Sequence, residues 1–98
     1  MFSYEKQRPV REYVVYFEPG DKRGSIAIYS EGIVLKVGRE EKPVRFNYVQ
    51  AVERKPGTPT LGKVGAEITY YNMFGSKEGV EVKMRENDVA ALKKDVGK

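Results

Sequence analysis

Gly79-Val80-Glu81-Val82-Lys83-Met84-Arg85-Glu86-Asn87-Asp88-Val89-Ala90-Ala91-Leu92-Lys93-Lys94-Asp95-Val96-Gly97 is the stretch on which the fold turns. Its first half alternates, with Val80, Val82 and Met84 on one side and Glu81, Lys83 and Arg85 on the other, which is the period of a half-buried strand. Its second half changes period. Val89, Leu92 and Val96 fall at i, i+3 and i+7, one apolar stripe of a helix over 87–96. Asn87 is the expected N-cap, with Asp88 near the positive end of the helix dipole and Lys93 and Lys94 near the negative end. Gly97 is suited to a left-handed cap. A helix this short is marginal by itself, so its stripe must lie on an apolar surface that the rest of the chain supplies.

That surface is expected to be β. Residues 1–11 are polar, contain Pro9, and read as a loose N-terminal arm. Tyr13, Val15 and Phe17 then share one strand face, with Val14 and Tyr16 on the other, and Glu18-Pro19-Gly20-Asp21 is a turn signal. Ser25–Ser30 and Ile33–Val37 form a hairpin around Glu31-Gly32. A charged connection, 38–42, leads to a strand over 44–47. A corner at Tyr48-Val49 and a short strand over 51–54 follow. Residues 55–65 read as a long loop, 66–71 as a sixth strand and 72–79 as a turn carrying Met73 and Phe74. The expectation is a single domain over 1–98, mainly β, with seven strands and one C-terminal helix.

This layout resembles the pleckstrin-homology-like (PH-like) superfold, a seven-stranded antiparallel barrel or sandwich capped by a helix. Gly24-Ser25-Ile26-Ala27-Ile28-Tyr29-Ser30-Glu31-Gly32-Ile33-Val34-Leu35 looks like the hairpin of bacterial and archaeal PH and GRAM-type domains. Pro43-Val44-Arg45-Phe46-Asn47-Tyr48-Val49-Gln50-Ala51-Val52 is similar to their strand, corner and strand. A weaker similarity is to the N-terminal domain of an archaeal taxis family, which couples chemotaxis signalling to the archaellum motor. The resemblance implies a binding or adaptor module, in a fold class that hosts lipid, peptide and protein ligands alike.

Composition narrows the chemistry. The chain has no Cys and no His, which removes disulfides, thiol nucleophiles, the commonest general base and the usual transition-metal ligands. No enzyme activity and no cofactor are expected. No apolar run approaches a membrane span, and Met1 to Arg11 lacks the apolar core of an export signal, so a cytoplasmic protein is expected. Abundant Lys and Glu without Cys or His is a composition that leans toward thermophiles.

Gly57-Thr58-Pro59-Thr60-Leu61-Gly62-Lys63 fits the G-x-x-x-x-G-K part of a phosphate-binding loop, but Val64 follows and a strand, not a helix, comes next. A nucleotide site is therefore not expected. The PH-like resemblance would place phosphoinositide-binding cations along the second strand; Ser25, Ala27 and Tyr29 stand there instead, so phosphoinositide is not expected either.

Two ligand classes remain. The net charge is +4, and residues 36–63 carry that whole excess: Lys36, Arg39, Lys42, Arg45, Arg54, Lys55 and Lys63 against three glutamates. These cations could track nucleic-acid phosphates, with Tyr48 or Tyr71 stacking on bases. Apolar residues at a turn more often mark a protein partner. The expected protein-binding residues are Met73, Phe74, Lys63, Arg54 and Lys55, and the strand over 13–17, apolar on both faces, suggests a homodimer contact.

Overall fold

The computed structural model describes residues 2–98; the start of the expected arm, Met1, lies outside them. Seven strands run in chain order: β1 Arg11–Phe17, β2 Lys22–Ile28, β3 Gly32–Val37, β4 Glu40–Arg45, β5 Val49–Arg54, β6 Lys63–Tyr71 and β7 Lys77–Arg85. A 3-10 turn, Phe46–Tyr48, joins β4 to β5, and helix α1, Glu86–Val96, closes the chain. The strands form one open antiparallel sheet in the order β4-β3-β2-β1-β7-β6-β5. The mainly β architecture with a single C-terminal helix is therefore as the alternation indicates. No helix among the described residues is long and apolar enough to cross a membrane.

The sheet curls around its own inner face. Tyr13, Val15 and Phe17 of β1 join Ile26 and Ile28, Ile33 and Leu35, Val52, Ile68 and Tyr70, and Val82 and Met84 in one core. Val89, Leu92 and Val96 of α1 complete it, all buried. The helix lies mainly against β5, the edge strand whose inner face would otherwise be wet. Its C-terminal end is tied to β1 by a 2.6 Å hydrogen bond from the Tyr13 hydroxyl to Asp95 and by Arg11 Nε, 3.2 Å from the same carboxylate oxygen. Burial first, and that bond second, push the Tyr13 pKa up to about 12.

Several boundaries differ from the expectation, each for a physical reason. Strand β4 begins at Glu40 because Gly38 and Arg39 make a two-residue turn, so the charged 38–42 segment is mostly an edge strand. Strand β6 begins at Lys63, where Thr60 and Lys63 close a tight hairpin tip; the loop is shorter than 55–65. Strand β7 begins at Lys77, which shortens the 72–79 turn. It also runs to Arg85, so α1 starts directly at Glu86 and Asn87 sits inside its first turn. No side chain caps the helix. Gly97 does take the left-handed conformation, φ 73°, and its N–H bonds back to Lys93 and Lys94.

The expected loose arm is packed at Phe2 and Tyr4, while residues 5–8 and Val10 are exposed. Phe2 is only 4% exposed. With Tyr4 it covers Ala27, Tyr29 and Val34 on the outer face of β2 and β3, a second small apolar cluster. The rings of Phe2, Tyr4 and Tyr29 meet in tilted pairs 5.5–6.2 Å apart. Gly32 makes the socket: a Cβ there would collide with the Val44 carbonyl and the Phe2 ring. The Tyr4 hydroxyl donates a 2.7 Å hydrogen bond to Glu41, and Val10 N donates to the Ile28 carbonyl. The outward positions Ala27 and Tyr29 are therefore a covered apolar floor.

Strand β1 lies inside the sheet order, pairing with β2 along its whole length and with β7 at Tyr16 and Phe17.

Candidate functional site

The β6–β7 turn is built to hold its apolar residues outward. Asn72 Oδ1 accepts hydrogen bonds from Phe74 N, 2.9 Å, and Ser76 N, 3.0 Å, while its backbone N–H donates to the Ser76 carbonyl. One short polar side chain thus fixes the whole turn, the usual use of Asn at such places. Met73 is left 64% exposed and Phe74 85% exposed. A phenyl ring held this far into water is unfavourable in the isolated chain, and its rigid presentation reduces the ordering needed on contact.

Opposite the turn stands β4. Pro43 and Val44, with Tyr48 from the corner, face Met73 and Phe74 across an apolar cavity of about 280 Å³ whose floor includes Tyr70. Tyr48 is itself half-exposed, so three large apolar side chains rim one opening. Lys42 crosses the cavity's end: its ammonium is 3.8 Å from Glu78 and 5.9 Å from the centre of the Tyr70 ring. The Tyr70 hydroxyl beside it is the chief cause holding the Lys42 pKa above its ordinary value, with Glu78 and Glu40 adding to it. That approach falls outside hydrogen-bond geometry, and the Tyr70 hydroxyl is buried with no hydrogen-bond partner among the described residues.

Strand β4 is the free end of the sheet, yet it is a poor template for strand addition. The two-residue turn makes Val37 and Glu40 the closing pair, so Lys42 and Val44 turn their backbone groups to β3 while Glu41, Pro43 and Arg45 turn theirs outward. Pro43 has no N–H to offer, which blunts the edge. Recognition at this site must come through side chains.

The five residues expected to bind a protein do not come together. Met73 and Phe74 lie at one end of β6, and Lys63, Arg54 and Lys55 at the other, separated by about 27 Å of extended strand. The second group is engaged internally. Arg54 Nε lies 2.7 Å from Glu86, and its terminal nitrogens reach the Lys55 and Gly57 carbonyls. Lys55 lies 2.6 Å from Glu81, which is the main cause raising its pKa. Lys63 sits 4.7 Å above the Tyr16 ring.

The seven cations expected to track nucleic acid are likewise dispersed and mostly neutralised in place. Lys36 faces Glu12 at 4.0 Å, Lys42 faces Glu78, and Arg45 faces Glu31 at 4.0 Å. Arg39 is exposed on the β3–β4 turn, far along the sheet order from Arg54, Lys55 and Lys63. Sequence reasoning did not single out Pro43, Val44, Tyr70 or Glu78. Alternation marks Tyr70 and Val44 as core, and nothing in a linear pattern shows that β4 and the β6–β7 turn meet.

Among the described residues no three His, Cys, Asp or Glu side chains gather as a metal site. Compared with known proteins, the chain matches no family model, and no curated sequence is significantly similar to it.

Proposed function

We propose that the chain is a non-catalytic protein-interaction or adaptor module of PH-like barrel type, working in the cytoplasm, with the cleft between β4 and the β6–β7 turn as its contact. The observation that carries the reading is the rim of Tyr48, Met73 and Phe74 around an apolar cavity. Contiguous exposed apolar groups of this kind favour partner contacts, and aromatic anchors supply most of the binding energy at such contacts. The PH-like part of the reading is supported by the strand order and the terminal helix, together with the hairpin over 24–35 and the corner over 43–52. A role in signalling of the archaeal taxis kind rests on that resemblance alone.

Nucleic-acid binding through residues 36–63 is the second reading, favoured by the local charge excess and weakened by the ion pairs at Lys36, Lys42, Arg45, Arg54 and Lys55. Fluorescence anisotropy of a labelled non-specific duplex at about 50 and 200 mM salt separates the two, because phosphate-driven binding falls steeply over that range. Binding that collapses with salt favours nucleic acid. Absence of binding at low salt, with an apolar protein contact that survives salt and fails in Phe74→Ala, favours the adaptor.

A further inference from the structure

The cavity behind Phe74 has a neighbour. A second cavity of about 310 Å³, walled by Phe17, Leu35, Val37 and Val80, shares Glu41, Lys42 and Tyr70 with the first. Lys42 lines both cavities, and it and its ion-pair partner Glu78 both have substantially exposed side chains. Exposed ion pairs at this distance are weak and open readily. Each half is at the small end for a ligand site, and joined they fall inside the usual range.

Tyr70 lies under Lys42. The residue is 1% exposed, and its hydroxyl is buried without a hydrogen-bond partner among the described residues. Folded proteins avoid this arrangement, since a buried hydroxyl that bonds to nothing forfeits its hydration. Phenylalanine would fill the same space without that loss. The polar groups beside the hydroxyl narrow what it could bond to. Glu41 already accepts from Tyr4 and Lys42 can only donate, while Glu40, Arg45, Asn72 and Glu78 line the two cavities beside their apolar walls. A guest that satisfies the site therefore has an apolar body and one accepting group, and a negative acceptor gains most from the Lys42 ammonium.

We propose that the joined cavities bind a small amphipathic monocarboxylate. Its carboxylate accepts from the Tyr70 hydroxyl and from Lys42 in place of Glu78, and its aliphatic or aromatic body lies along Val44, Met73 and Phe74. The unpartnered Tyr70 hydroxyl carries this inference, which goes beyond the adaptor reading and does not rest on it.

The test uses octanoate and octanol as probes at millimolar concentration, followed by amide chemical shifts of the ¹⁵N-labelled full chain. Octanoate should give saturable shifts at Lys42, Val44, Tyr70, Asn72 and Glu78, and octanol should bind at least about ten-fold more weakly, the usual scale of a charge-assisted hydrogen bond. Tyr70→Phe should melt at the same temperature or higher and lose about ten-fold in octanoate affinity. Lys42→Gln should also weaken octanoate. The proposal is overturned by an absence of saturable shifts at these residues, by equal affinity for the two probes, by undiminished octanoate binding in Tyr70→Phe, or by a lower melting temperature in that variant, which would make the hydroxyl structural. Because the probes are small molecules, failure to find a protein partner leaves this result intact.

Discussion

Lys42 of β4 reaches across the cleft to Glu78 of β7, 3.8 Å away, and its ammonium stands over the Tyr70 ring. The curl of the sheet brings these strands together although three others separate β4 from β7 in the hydrogen-bonded order. The contact is a surface pair closing a groove, and it adds little to the fold. Glu78→Gln should change the unfolding free energy by less than about 1 kcal/mol in urea titration.

Removing the hydroxyl beneath that pair should help stability. Tyr70→Phe keeps the ring in the core and deletes a buried group that bonds to nothing among the described residues. A gain of about 1 kcal/mol is expected in the same titration. An equal loss would show that the hydroxyl has a structural partner.

The N-terminal segment is packed at Phe2 and Tyr4. Phe2 is buried against Tyr4, Tyr29 and the Gly32 socket, so Phe2→Ala should cost about 3 kcal/mol by the usual scale for a buried ring. A loose arm would show no change. Thermal unfolding of the variant beside the wild type distinguishes the two.

Alkaline pH should loosen the molecule at two hydroxyls. Hydrogen bonding to Glu41 is the largest cause raising Tyr4, and burial the largest raising Tyr13, each to about 12. Both pKa values lie above the ordinary tyrosine value of about 10. The neutral forms are thus favoured in the folded state. Their contribution is complete below about pH 10 and is lost as pH rises toward 12. Stability measured across that window should fall, and Tyr13→Phe should flatten part of the fall while losing about 1 kcal/mol at neutral pH with the Asp95 bond.

How much of this could be read from residues alone follows from which contacts are local. Ile26 and Ile28 against Ile33 and Leu35 alternate because each hairpin partner is near in sequence, and the stripe Val89, Leu92, Val96 repeats because a helix buries one side. Both are legible. Glu40, Glu41 and Lys42 have the pattern of a connection because an exposed edge strand has no inner face to impose alternation at its start. Asn87 has the chemistry of a cap, but β7 keeps its pairing as far as Lys63–Arg85 and leaves no gap for one. Phe2 and the cleft at Tyr70 depend on segments far apart in sequence, and no local period encodes them. Met73 and Phe74 stood out because a turn offers them nothing to pack on, and they are the part of the expected site that lies at the cleft.

The most direct measurement of the adaptor account is paired capture from extracts of the native cell, on immobilised wild-type chain and on the Met73→Ser/Phe74→Ser variant, washed at about 200 mM salt where phosphate-driven binding is largely lost. The account predicts a protein retained by the wild type and missing from the variant, with both chains equally folded. A retained set that does not differ between the two, or retention that disappears with salt and nuclease, would contradict it.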